Sequence, residues 1–119
     1  MKSIIAAMAL VLTGSSVAHS GLVGSDTLYV FCTQPEETKA WGMGIGHVGG
    51  VMETLVLMKK IGTEGMEDFC PTPGITNLDN YRAVCKVLGS MDEETRRAMP
   101  ATLATLKVLY DIHSSCAGA

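Results

Sequence analysis

Residues 41–55 read WGMGIGHVGGVMETL. Within this stretch Trp41, Ile45, Val48, Met52 and Leu55 recur at steps of four and three, the spacing that gathers side chains on one face of an α-helix. The helix is expected to open at Pro35, because proline suits the first helical position and Glu36 and Glu37 favour the positive end of the dipole. Lys59, Lys60 and Gly62 close it as a C-terminus should, near residue 61. Its glycines offer two readings. Residues 44–49 match the dinucleotide pattern G-x-G-x-x-G, but that pattern binds phosphate only where it follows a strand and opens a helix, and here Pro35 and two glutamates separate it from any strand-like run. No nucleotide site is expected. Gly42, Gly46 and Gly50 fall four apart, and because each helical glycine costs roughly 1 kcal/mol relative to alanine, the stripe implies a second backbone packed against it. On that reading Gly46→Leu overpacks the contact and lowers stability by more than about 1 kcal/mol.

Working outward, Ser25–Cys32 is short and apolar and reads as a helix or a strand, the helix being favoured. Residues 62–74, GTEGMEDFCPTPG, form a loop pinned by a cysteine bridge. Thr76 with Asp79 resembles a capping box, followed at helical steps by Leu78, Tyr81, Cys85 and Leu88, and that helix ends near Gly89. Ser90 and Glu93 are expected to cap a short turn through Met99. Pro100 then opens a last helix to about Ser114, with Leu103, Leu106, Leu109, Tyr110 and His113 as its buried stripe and Cys116 continuing the face. No Asn-Gly hairpin and no sustained alternation appears, so the fold class expected is all-α: a small disulfide-stapled bundle of about four helices.

The chain has 119 residues, enough for one domain and one core. With 9 basic and 12 acidic residues the net charge is -3, which leaves no basic footprint for nucleic acid or an anionic membrane surface. Residues 1–20, MKSIIAAMALVLTGSSVAHS, have the form of a secretory signal: Lys2, a short apolar run over 4–12, and small residues permitting cleavage after Ala18 or Ser20. The domain expected after cleavage is 21–119, with no membrane insertion, and the location is periplasmic or secreted. Cys32, Cys70, Cys85 and Cys116 are even in number and contain no C-x-x-C pair, so two structural disulfides are expected in an oxidising compartment. Four cysteines allow three connectivities.

Candidate chemistry is sparse. His47 and His113 lack the clustered partners that zinc or copper requires, and a cysteine in a disulfide cannot act as a nucleophile. Adjacent Glu93 and Glu94 point about 100° apart on a helix, so they do not share a proton. The methionines read as gap-filling core. No enzyme activity, metal or cofactor is expected.

The residues resemble a family, the Rap/Tai immunity proteins, which are small exported helical proteins that protect bacteria from periplasmic cell-wall amidases delivered by type VI secretion. The resemblance spans residues 28–116. It rests on Gly46-His47-Val48-Gly49-Gly50-Val51-Met52-Glu53, on Phe69-Cys70 with Gly74-Ile75-Thr76, on Pro100-Ala101-Thr102-Leu103, and on Cys116. The chain departs from the family at Gly44, where a cysteine is usual, at His47 in place of a tyrosine, and at Cys85 in place of an apolar residue. The resemblance implies a binding protein that occludes a peptidoglycan amidase effector; a homodimer is the other partnership considered. Residues 90–99, SMDEETRRAM, are polar and mixed in charge, and Asp92, Glu93, Glu94, Arg96 and Arg97 are the expected partner-binding residues, with an exposed arginine as anchor. The alternative reading is an acid-stress periplasmic chaperone of the HdeA type. For the bridges, antiparallel pairing of the last two long helices would bring Cys70 to Cys116. Cys32 then joins Cys85 by elimination, and the departure at Gly44 likewise leaves Cys32 in need of a new partner.

Overall fold

The computed structural model describes residues 23–114 and 116; the expected signal peptide and its cleavage sites lie outside them. The described chain is helical, with five helices: α1 (Ser25–Cys32), α2 (Lys39–Lys60), α3 (Asn77–Ser90), α4 (Glu93–Ala98) and α5 (Ala101–Ile112). Among the described residues there is no strand, only isolated bridges at Gly24 with Pro100 and Cys70 with Ser114. The long helix α2 packs against α1, α3 and α5, while the short α4 rests on α1.

Thr76 accepts the Asp79 N–H at 3.1 Å and donates its own N–H to the Asp79 carboxylate at 2.9 Å, completing the capping box that starts α3. The same Thr76 N–H holds the Asp79 carboxyl below its ordinary range. The start of α2 differs from the expectation. Helix geometry begins at Lys39, and Thr38 is the N-cap, accepting the Trp41 N–H at 3.3 Å. Residues 35–37 form a turn instead, because Cys32 is fixed by its bridge and the chain must reverse before α2; Glu37 takes a left-handed conformation (φ 72°) that interrupts any helix running on from Pro35. Similarly, Asp92 rather than Ser90 caps α4, accepting the Thr95 N–H at 2.7 Å.

Both disulfides follow the expected pairing, with Cα separations of 5.6 Å for Cys32–Cys85 and 5.1 Å for Cys70–Cys116. The core they enclose is built from Leu28 of α1, Val48 and Leu55 of α2, Tyr81, Val84 and Leu88 of α3, Ala104 and Leu109 of α5, and Met66 and Phe69 from the loop. On α5 the buried face is Ala101, Ala104, Thr105, Val108 and Leu109, and Leu103 is exposed. Of the expected stripe, Leu109 and His113 are buried and Leu106 and Tyr110 half-buried against the core, so Leu103 alone departs from it, and the small residues Ala101, Ala104 and Thr105 take its place. A backbone tether brings the start of α5 against the start of α1: Ala101 N–H donates to Val23 O at 2.8 Å and Ser25 N–H to Met99 O at 2.9 Å, and Ala101 is fully buried there.

The glycine stripe is also corrected. Among the described residues, a Cβ added at Gly42, Gly46 or Gly50 would meet nothing within 4 Å, so no described backbone lies against those positions. The close approach belongs to Gly44, where an added Cβ would overlap the Tyr81 ring and hydroxyl, and more gently to Gly49, 3.4 Å from the Asn77 amide. The overpacking argued for Gly46→Leu therefore has no neighbour to act on. We predict that Gly44→Ala lowers stability by about 1–3 kcal/mol through overpacking. Gly46→Ala should instead raise it by up to about 1 kcal/mol through helix propensity, with urea unfolding as the measurement for both.

Candidate binding surface

The segment 90–99 folds as α4 with its flanking turns, and most of its side chains have tasks inside the molecule. Asp92 is the helix cap, and the Thr95 N–H holds its carboxyl below the usual carboxylate range. Glu93 and Arg97 pair one turn apart at 2.6 Å in full view of solvent, an arrangement that adds little stability. Of the two candidate anchors, Arg97 is exposed and Arg96 is half-buried. Arg96 donates to the carbonyls of Leu88, at 2.9 Å, and Met91, bracing the end of α3, and its guanidinium lies 4.3 Å from the centre of the Tyr29 ring. Glu94 and Arg97 remain available at the surface. Beside them Glu94, Ala98, Pro100 and the exposed Leu103 frame a shallow hollow of about 420 Å³.

A larger and more apolar concavity lies elsewhere. Between α2 and α5 runs an open groove of about 630 Å³. Val51, Leu55 and Met58 form one wall, Leu106 and Tyr110 the other, and no residue of its lining is charged. Gly46 and Gly50 contribute to this groove, and their missing side chains keep it open. This is where the stripe acts: the glycines make room outside the fold rather than inside it. Further along the outer face of α2, Met43, Leu57 and Ile61 are 61%, 57% and 70% exposed, an apolar content that packing among the described residues does not explain.

Polar groups in the groove are few. Thr54 donates its hydroxyl to Gly50 O at 2.9 Å, and Tyr110 donates to the Met66 sulfur at 2.9 Å. His47 Nε2 is shielded from solvent and has no hydrogen-bond partner, and burial lowers the pKa of its ring. A neutral imidazole there can donate or accept one hydrogen bond. Residues 44–49 lie well inside α2, so their backbone N–H groups are not those of a helix N-terminus and cannot cradle phosphate. Among the described residues no three His, Cys, Asp or Glu side chains gather in a way that could hold a metal ion. Nor, among those residues, is any helix long and apolar enough to cross a membrane.

Compared with known protein families, with curated proteins and with solved structures, the chain matches none.

The apolar stripe of α2 reads as core along its whole length, which hides the groove in the sequence. Its signal was present in Met43, Leu57 and Ile61, which share a face with Gly46 and Gly50 at helical spacing. We predict that Arg96→Ala lowers stability by about 1.5–3 kcal/mol, since it removes charge-assisted bonds to two carbonyls. Arg97→Ala should stay within about 0.5 kcal/mol of the parent protein, as for an exposed pair, and the two urea midpoints give the comparison directly.

Proposed function

We propose that this protein is an exported binding domain of the immunity type, which protects the cell by covering the cleft of a cell-wall amidase effector in the periplasm. The observation that carries this reading is the uncharged groove between α2 and α5 on a frame stapled by two disulfides. Separate stretches that carry the Rap/Tai resemblance meet at its walls: Gly46, His47, Gly50 and Val51 from one, Thr102 from another. A concave, mainly apolar patch with a few polar side chains suits a protruding loop or helix of a partner, because apolar burial at the centre supplies affinity and sparse polar groups set register. The disulfides fit an oxidising compartment, and the net charge of -3 disfavours nucleic acid. Inhibition of this kind is occlusion, so this chain makes and breaks no bond. Glu94 and Arg97 would then lie outside the central contact.

The test is a titration of the oxidised domain against purified periplasmic amidase effectors of type VI systems, read as amidase activity. One effector should lose activity at a stoichiometric ratio. Gly46→Glu should weaken that inhibition at least about tenfold, equivalent to about 1.4 kcal/mol, because it sets a charge in the groove at a position with free space around it. If inhibition survives Gly46→Glu but disappears with Glu94→Lys and Arg97→Glu, the contact lies on α4; if no amidase is inhibited, the immunity reading fails.

An acid-stress chaperone of the HdeA type remains the second reading, supported by the exposed apolar residues of α2. It requires client binding that appears only after acid loosens the fold. An increase in dye binding to exposed apolar surface between neutral and strongly acid pH, matched by suppression of client aggregation, would favour it over a rigid inhibitor.

A further inference from the structure

The end of α5 and the loop after α2 meet at one buried side chain. His113 is 1% exposed, and so is Asn80 of α3 beside it. The His113 carbonyl accepts the Cys70 N–H at 2.8 Å, and its ring Nδ1 accepts the Thr72 N–H at the same distance. Nε2 lies 3.0 Å from Asn80 Oδ1, and Thr72 Oγ1 donates to Ile112 O at 3.2 Å. A backbone N–H can only donate, so Nδ1 carries no proton and the ring is neutral with its hydrogen on Nε2, given to Asn80. Adding a proton to Nδ1 would set one donor against another at hydrogen-bond distance. The ring can then keep its place only if Thr72 leaves.

We propose that His113 is an acid-released latch: while neutral it ties the Cys70–Thr72 segment to the ends of α5 and α3, and on protonation it frees that segment locally, with the Cys70–Cys116 disulfide as tether. The surroundings limit the opening. On one side Lys59 Nζ donates to the carbonyls of Met66 and Glu67 at 3.0 and 3.1 Å and Phe69 is anchored in the core, and on the other the capping box holds Thr76, so residues 70–75 form the movable length. The ionisable side chains on the elements around the ring are Glu64, Glu67 and Asp68 of the loop, Asp79, Tyr81, Arg82 and Lys86 of α3, Lys107, Tyr110 and Asp111 of α5, and Lys39, His47, Glu53, Lys59 and Lys60 of α2. None of them hydrogen-bonds to the ring, so no carboxylate waits to hold the imidazolium in place. Burial disfavours the charged ring and lowers its pKa from the ordinary 6.5. The opened state, with the ring in water, therefore gains a proton first, and opening becomes more favourable as pH falls below about 6.5 until the closed form also protonates. Above that range the latch is fully closed.

Amide hydrogen exchange on the oxidised protein without any partner tests this, and so does not depend on the immunity reading. After correction for intrinsic rates, protection of the Cys70 and Thr72 amides should fall by up to about tenfold per pH unit below 6.5, while Val48 and Leu55 of α2 keep theirs. Nitrogen chemical shifts of the imidazole at neutral pH should place the proton on Nε2. His47→Gln should leave the pH dependence unchanged. The latch is refuted if loop protection is constant from neutral to mildly acid pH or if all helices lose protection together. A proton on Nδ1 at neutral pH, or loss of the effect in His47→Gln, refutes it equally.

Discussion

The packing of Tyr81 against Gly44 sets the position of everything else. Tyr81 is 1% exposed, its ring meets Trp41 edge-on with centroids 5.4 Å apart, and its hydroxyl lies so close to α2 that only glycine leaves room for it. Burial pushes the phenol pKa up, and the hydroxyl has no hydrogen-bond partner, a cost that the surrounding apolar contact must offset. With Tyr81 seated, the register of α3 against α2 is settled. Val84 and Leu88 then fall into the core on the same helix, and Cys85 comes within bridging distance of Cys32. The α2–α3 seam thus orients α1 through the bridge.

How far this was legible depends on which force set each feature. Helix existence followed from periodicity, and the Thr76 box followed from local hydrogen bonding, so both could be read along the chain. The pairing of the cysteines followed from antiparallel helices. Gly44 was legible but overlooked: it stands three residues after Trp41 and four before Val48, inside the stripe that was recognised, whereas the attractive run of Gly42, Gly46 and Gly50 lies on another face. The exposure of Leu103 and the burial of Ala101 and Ala104 were not legible, because they depend on a backbone tether to residues 23–25 far away in sequence. Arg96 presents the same difficulty. A polar segment looks like open surface until the carbonyls at the end of the preceding helix are known to face it.

The α2–α5 groove arises from a division of labour on one helix. The inner face of α2 accepts the large Tyr81 by means of one glycine, and its outer face stays hollow by means of two others. Helical glycines are unfavourable for stability, so their concentration in α2 is best explained by shape on both sides. The His113 cluster performs a separate task in the middle of the loop. It holds an irregular segment rich in proline and glycine to the bundle through backbone groups that would otherwise lack partners.

The order of the bridges along the chain has a topological consequence. Cys32 pairs with Cys85 and Cys70 with Cys116, so the closed loops interleave, since Cys70 lies within the span of the first bridge and Cys85 within that of the second. Any single break in the backbone between Cys32 and Cys116 therefore leaves the resulting pieces joined by at least one covalent link. The exposed loop between α2 and α3, where a protease would find the easiest access, lies wholly inside this protected interval. A molecule cut there keeps both halves of its groove, because α2 and α5 remain tied to the same covalent body.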